Sequence, residues 1–412
     1  MNSDRTRPNP GNVIGGNLPP NAALTVHTLT LMAFLAASSA PTPLYRLYQL
    51  QWHFSPALLT LIFGVYALAL LAALLIAGRL SDHLGRRPVI SYALILEFIA
   101  MGIFLAAGNP AWLLAARALQ GVATGLATAA LGAALVDLHH ERGSLTNTLA
   151  TMGGITLGAL GTTALVELAP APLHLVFVLL MVVFALQLVL SWGTPETSQG
   201  RSGALASLRP RIAVPHGARG ALLAITPINV AVWALGGFYL SLMPSLVALT
   251  TRSTSVWLGG LTVAALTLSG GVAIFLVRRS QPFWAFAIGG ATLAVGMAVI
   301  LIGINFGLEA ALLIGSVIAG VGFGSGFFGA VRSIVHLVKP SERAGLMAAF
   351  YVESYLANSL PTIVAGYMAR RIDLMTVANL YGGAIILLAL AGLGLEFLRL
   401  RGVKPTEEGA GT

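Results

Sequence analysis

Apolar runs of about twenty residues recur along this chain from Ala22 to the C-terminal tail. A helix of that length crosses a hydrocarbon core of about 30 Å and satisfies its own backbone amides there. Of the 412 residues, 57% are hydrophobic and 9% are charged, whereas roughly a quarter of the residues in a soluble domain are charged. This number of charged residues is too small to cover the surface of a water-soluble fold. The sequence therefore predicts an integral membrane protein.

The runs predict twelve membrane-spanning helices and an all-α fold. They are continuous and rich in Leu and Ala, which excludes the alternating strands of a membrane β-barrel. The predicted spans are residues 22–45, 56–78, 88–108, 111–137, 145–168, 172–192, 220–248, 254–277, 282–304, 308–336, 344–369 and 374–398.

The longest interruption between spans, residues 193–219, separates six spans on each side. It contains three prolines and four arginines, so we interpret it as a cytoplasmic linker between two bundles. The predicted domains are a disordered cytoplasmic N-terminus (1–21), an N-terminal bundle (22–192), this linker, a C-terminal bundle (220–398) and a cytoplasmic tail (399–412).

The net charge of +9 is explained by topology. Most of the 23 Lys and Arg residues fall in the loops of one predicted side, whereas Arg46, Arg252, Arg370 and Arg371 fall on the other. By the positive-inside tendency both termini are cytoplasmic, and nucleic acid is not an expected partner. The chain has no cysteine, which excludes disulfides and thiolate metal sites.

Two pairs of matching segments indicate an internal duplication. Gly121-Val-Ala-Thr-Gly125 corresponds to Gly322-Phe-Gly-Ser-Gly326, and Glu141-Arg142 corresponds to Glu342-Arg343. Both pairs have the same sequence offset. Repeated halves are typical of carriers in which one bundle rocks against the other around a midplane site.

A charged turn between the second and third spans reads Gly78-Arg-Leu-Ser-Asp82-His-Leu-Gly85-Arg86-Arg87. We expect Gly78 to permit a close approach of two helices and Gly85 to permit a tight turn. Asp82 can pair with an arginine or cap a helix. This cluster could hold one conformation of a moving protein, or its arginines could serve topology alone.

The turn resembles the loop signature of the major facilitator superfamily, with His83 in place of the usual Arg or Lys. The resemblance implies a monomeric secondary transporter with two six-helix bundles around a central cavity. Gly78, Asp82, Gly85, Arg86 and Arg87 would form its gating motif. It also implies a small-molecule substrate, a proton gradient as energy source and no cofactor. We expect the protein in a bacterial cytoplasmic (inner) membrane.

The fourth span contains Arg117-Ala-Leu-Gln120-Gly121, which is similar to a signature of proton-driven members of this family. An arginine within hydrocarbon costs roughly 2.5 kcal/mol or more, so Arg117 should face the bundle interior and a partner. Alternatively, its side chain could reach the outer surface. We assign Arg117 and Gln120 to proton coupling or substrate binding.

A glycine-rich stretch in the fifth span is similar to an export signature of the family, but Ala159 replaces its proline and Thr162 its final glycine. The stretch therefore favours export only weakly. Small residues at this spacing would also favour close helix packing in any transporter.

Two acidic residues, Glu97 and Glu353, lie well inside apolar runs. A carboxylate at that depth pairs with a cation or keeps its proton, so both are candidates for proton coupling or substrate binding. Glu353 is preferred, because eleventh spans of the family border the cavity and third spans pack peripherally. For Glu97 a structural pair or a surface-reaching side chain stays open.

Polar and aromatic residues of the seventh and eleventh spans are the candidates for lining a cavity, where aromatic walls combine with few polar anchors. They are Asn229, Trp233, Tyr355 and Asn358.

Together these features favour a proton-coupled exporter of small amphipathic or cationic molecules. An uptake symporter or facilitator for a sugar, organic acid or amino acid is the alternative, because the two classes share every strong motif. A membrane-embedded enzyme or sensor is disfavoured, since the sequence contains no recognised catalytic, nucleotide-binding or cofactor motif.

Overall fold

The computed structural model describes residues 16–252, 255–339 and 341–402, with side chains up to Arg399. The predicted disordered ends therefore lie outside the described residues up to residue 15 and from residue 403. The fold is all-α. Its helices are α1 (Pro20–Ser39), α2 (Pro41–Trp52), α3 (Pro56–Ala77), α4 (Leu80–Leu84), α5 (Arg86–Leu105), α6 (Pro110–Leu138), α7 (His140–Leu168), α8 (Leu175–Gly193), α9 (Ala204–Ser207), α10 (His216–Ser241), α11 (Met243–Thr251), α12 (Trp257–Val277), α13 (Pro282–Phe306), α14 (Glu309–Val335), α15 (Arg343–Met368) and α16 (Leu374–Gly402).

Eleven helical segments of the described chain are long and apolar enough to cross a membrane. They account for eleven of the twelve predicted spans, with α1 and α2 joined as Pro20–Trp52. The predicted span 344–369 forms α15, whose 26 residues extend about 39 Å at 1.5 Å per residue. Its length suffices, but polar side chains such as Glu353 and Asn358 lower its hydropathy, so it is not among the eleven.

The chain divides into two compact units. Among the described residues, the first unit comprises those within Met1–Arg211 and Ser253–Ala264, and the second those within Ile212–Arg252 and Ala265–Thr412. One division falls within the predicted linker 193–219, and another falls inside α12. The predicted bundle boundaries themselves remain predictions.

In the first unit α3 packs against α6, α1 against α7, and α5 against α6 and α8. A buried aromatic core holds these helices together, with the rings of Phe104 and Phe177 stacked at 4.9 Å. Glycines permit the closest approaches. A Cβ at Gly125 would lie 2.7 Å from the Leu70 carbonyl oxygen of α3, and one at Gly154 would lie 2.6 Å from the Met32 carbonyl oxygen of α1.

The second unit uses the repeated glycines in the same way. A Cβ at Gly322 of α14 would overlap the backbone of Leu293 in α13, just as one at Gly121 of α6 would overlap the Tyr66 carbonyl of α3. Both matching segments therefore place a glycine at a close helix contact, because only a glycine allows two backbones to come this close. The partner helices differ, since α3 is the second predicted span and α13 is the ninth.

Candidate functional site

Arg86 joins the charged turn to α6. Its Nη1 lies 2.6 Å from Asp82 Oδ1, and its Nε lies 3.0 Å from Asp137 Oδ2. The same Nη1 donates to Ser81 Oγ at 2.7 Å. Asp137, near the end of α6, is thus the second acidic partner of the turn.

A second carboxylate that the sequence did not identify, Glu196, caps the start of α5. Its Oε1 accepts a hydrogen bond from the Arg86 amide at 2.8 Å, and its Oε2 accepts one from the Arg87 amide at 3.0 Å. An acid at this position satisfies helix N–H groups and complements the helix dipole. Gly85, with φ of 98°, leaves room for it, since a Cβ there would lie 2.7 Å from Glu196 Oε2.

The turn also contacts the end of α8 and the segment that follows it. Arg87 Nη2 donates to the Trp192 carbonyl at 2.7 Å, and its guanidinium carbon lies 5.2 Å from the centroid of the Trp192 ring. His83 Nδ1 lies 3.1 Å from the Ser202 carbonyl oxygen. The linker is thus part of the candidate gate. The sequence does contain one signal for this, because Glu196 is an acidic residue in a predicted linker that contains four arginines.

The close approach of two helices predicted at Gly78 is not present. The atoms nearest to a Cβ built there all belong to Leu74 of the same helix. The glycine is required by its own helical turn, at the C-terminal end of α3.

Arg117 lies fully inside the first unit, so the alternative of a side chain reaching the surface is wrong. Its Nε donates to Tyr45 Oη at 2.7 Å, and its Nη1 donates to the Ser38 carbonyl at 2.8 Å and to Gln120 Oε1 at 2.7 Å. The guanidinium carbon also lies 4.9 Å from the centroid of the Tyr66 ring. These contacts come from four helices, and they replace the water that a buried guanidinium loses.

Glu97 belongs to the same buried cluster. Its side chain has no exposed surface, and its Oε1 accepts a hydrogen bond from Gln120 Nε2 at 2.9 Å. Gln120 Nε2 also donates to the Ala37 carbonyl at 3.0 Å. The surface-reaching alternative for Glu97 is therefore wrong. Two buried atoms of the cluster, Glu97 Oε2 and Arg117 Nη2, have no hydrogen-bond partner among the described residues.

Glu353 forms a second cluster in the other unit, between α15 and α10. Its Oε2 accepts from Thr226 Oγ1 at 3.1 Å, and its Oε1 accepts from Asn229 Nδ2 at 3.2 Å. Asn229 Nδ2 also donates to Ser354 Oγ at 3.0 Å. Glu353 is partly exposed, and no described Lys, Arg or His lies within ion-pair distance of it.

Aromatic rings extend the second cluster along α10 and α15. The ring of Trp233 lies 4.8 Å from that of Tyr355 and 6.1 Å from that of Phe327. Asn358 Nδ2 donates to the Trp233 carbonyl at 3.0 Å. Trp233 Nε1 is buried and has no partner in the described chain, although buried indole N–H groups usually have one. The four cavity candidates thus lie near one another, close to Glu353.

A metal site is not formed by the described residues, in which no three His, Asp or Glu side chains group together suitably. The described chain thus has two polar clusters within its helices and one charged turn at a helix end. This arrangement defines a polytopic α-helical membrane protein with charged groups inside its spans.

The chain belongs to the Major Facilitator Superfamily, because the sequence model of this family matches residues 27–360. It is accordingly a membrane transporter and not an enzyme. No curated protein matches it in sequence.

Two solved structures share its fold. A mutant of the nucleoside transporter NupG superposes with a TM-score of 0.69 at 13% identity, over 91% of this chain and 100% of that one. A mutant of the peptide transporter POT, in complex with alafosfalin, superposes with a TM-score of 0.74 at 16% identity, over 93% and 95%. At these identities the likeness concerns the fold alone.

Proposed function

We propose that this transporter exports small amphipathic or cationic molecules in exchange for protons, by alternating access and without a bound cofactor. The observation that carries the proposal is the environment of Glu353. Its carboxylate lies inside a helix bundle, accepts hydrogen bonds from neutral groups only, and is partly exposed. Such a carboxylate requires a proton or a cationic ligand for compensation, and exchange of one for the other would couple the two fluxes.

The aromatic rings beside Glu353 support a cationic substrate with an apolar body. Trp233 and Tyr355 offer ring faces to a cation, an interaction that strengthens when the site excludes water. The unpartnered Trp233 Nε1 supplies a donor for a substrate oxygen or for water. Asn229 and Asn358 are the polar anchors among apolar walls.

The Arg117 cluster supports proton coupling in the other unit. Glu97 has no exposed surface, so we assign it a response to protons rather than contact with substrate. Its charge would act on Arg117 through Gln120, which is bonded to both. The charged turn, with Asp82, Arg86 and Arg87, would hold one conformation by its ion pairs and caps. We further propose a monomer in a bacterial inner membrane, with both termini cytoplasmic.

The test is the internal pH of energised inverted vesicles that contain the protein, challenged in turn with a cationic dye, a sugar, an organic acid and an amino acid. Export by exchange predicts proton efflux on addition of the dye. The response should be lost in Glu353→Gln and kept in Glu309→Gln, which alters an exposed glutamate of the same unit. Proton movement driven by a sugar or acid instead would establish the uptake alternative. Unchanged coupling in Glu353→Gln would reject the assigned role of this residue.

A further inference from the structure

The ends of α12 and α14 and the start of α15 carry basic side chains without acidic partners in the second unit. The residues concerned are Arg278, Arg279, Arg332, Lys339 and Arg343, with Glu342 as the nearby acid in the sequence. No ion pair of the described residues involves any of them. Glu342 Oε2 lies 3.3 Å from the backbone amide of Lys339, which donates to it.

At the corresponding turn of the first unit, a basic residue has acidic partners. There Arg86 has two carboxylate partners, Asp82 and Asp137, and Glu196 caps the helix that begins at Arg86. The second half has basic residues in the equivalent turn and lacks the aspartate. Its basic side chains are therefore available to an anion from outside the chain.

A cleft of about 450 Å³ lies among these residues, lined by Pro282, Arg332, Val335, His336 and Arg343. It is bounded by the first residue of α13, the end of α14 and the start of α15. Three lining side chains can carry positive charge, and none is acidic. Arg332 is held in place, since its Nη1 donates to the Ser280 carbonyl at 2.8 Å and to the Arg278 carbonyl at 3.3 Å.

The surroundings point to a lipid as the source of the anion. The cleft lies at the ends of membrane-spanning helices, and two of its lining residues, Pro282 and Val335, are apolar. Trp284, in the first turn of α13, is 57% exposed, and exposed tryptophans near helix ends are typical of the membrane interface. Basic pockets between spanning helices are known to take anionic headgroups.

We propose that this cleft binds the phosphate headgroup of an anionic phospholipid, with Arg332 and Arg343 as its ligands. Arg332 offers guanidinium N–H groups from a fixed position, and the exposed Arg343 closes on the headgroup from α15. The acyl chains would run along the apolar surface of α13 and α14. The site is separate from the Glu353 cluster, so it does not depend on the proposed transport function.

The test is native mass spectrometry of the purified full chain in detergent, titrated with phosphatidylglycerol or phosphatidylcholine. We expect preferential retention of phosphatidylglycerol. Arg343→Gln should weaken the binding of phosphatidylglycerol about fivefold. This factor corresponds to about 1 kcal/mol per basic residue at a membrane surface. Arg219→Gln, which alters an exposed arginine of the same unit outside the cleft, should leave retention unchanged. The Arg343 side chain is exposed and forms no ion pair with the described residues, so Arg343→Gln tests the site even if Arg332→Gln is unstable.

Three results would overturn the proposal. Equal retention of the two lipids would remove the preference for a negative headgroup. Equal losses in Arg343→Gln and Arg219→Gln would show a general charge effect. Displacement of phosphatidylglycerol by inorganic phosphate at the same concentration would make the cleft a free-anion site.

Discussion

Glu97 and Arg117 are joined through the side-chain amide of Gln120 and form no direct ion pair. Gln120 Oε1 accepts from Arg117 at 2.7 Å, and Gln120 Nε2 donates to Glu97 at 2.9 Å. The amide thus has its oxygen toward the cation and its nitrogen toward the acid. Any change in the charge of Glu97 reaches Arg117 through this bridge.

Replacing Gln120 by leucine should lower the free energy of unfolding by about 3 kcal/mol, since two hydrogen bonds to ionisable groups are lost in an apolar site. Denaturant unfolding in detergent, followed by tryptophan fluorescence, measures the loss. Gln187→Leu is the matched control. Gln187 is a buried glutamine of the same unit that accepts one neutral bond from Thr30, so we expect a loss of only about 1 kcal/mol. Equal losses would contradict the bridging role.

Replacing Trp233 by leucine should raise the half-saturating concentration of a cationic substrate between about 2-fold and 30-fold, which is the range of a cation–π contact. Trp233→Phe should recover most of the affinity, because it keeps a ring face. Concentration dependence of dye transport in inverted vesicles is the measurement. Trp112→Leu removes an exposed tryptophan of the other unit and should change nothing. The same weakening with an uncharged substrate would argue against a cation contact.

Replacing Glu196 by alanine should destabilise the start of α5 by about 1–2 kcal/mol, because two amides lose their acceptor and a negative charge leaves the helix N-terminus. Hydrogen exchange of the peptide that begins at Arg86 should accelerate. Glu141→Ala, which removes an exposed acid from the first turn of α7, should leave that peptide protected. Undisturbed exchange in Glu196→Ala would show that the cap is dispensable.

Replacing Gly85 by alanine should cost about 1–3 kcal/mol, since its φ of 98° is unfavourable for any other residue. The new methyl group would also displace the Glu196 carboxylate. Thermal unfolding in detergent measures the effect. Gly217→Ala is the control. Gly217 has open space around it within α10, so alanine should be neutral or stabilising there.

The sequence could predict the all-α membrane fold because composition and run length alone decide it. Motif spacing likewise offered two alternatives for Asp82, of which the structure has the pairing with an arginine. It favoured an interior position for Arg117 over a surface-reaching one, and the interior position is confirmed. The other acidic partners of the turn were not predictable in this way. Asp137 lies 51 residues from Arg86 and Glu196 lies 110 residues from it, and neither spacing is a local signal.

The position of Glu97 shows a second limit. A nearly uniform apolar helix has no strong polar face, so its sequence does not reveal which side meets a neighbour. Only the packing of α5 against α6 brings Glu97 to Gln120. In α15 the opposite occurs, because the polar residues that form the second cluster lower the hydropathy by which a span is recognised.

The cap at the start of α5 also sets an order of events during synthesis. The amides of Arg86 and Arg87 donate to Glu196, which lies 110 and 109 residues later in the chain. At a ribosomal rate of roughly 5–20 residues per second, these amides wait about 5–20 s for their acceptor. Three further spanning helices are made in that interval. The charged turn can therefore form its final hydrogen bonds only after α8, the last helix of the first half, has been made. The N-terminal cap of α5 is thus completed only when all the helices of its own bundle are present.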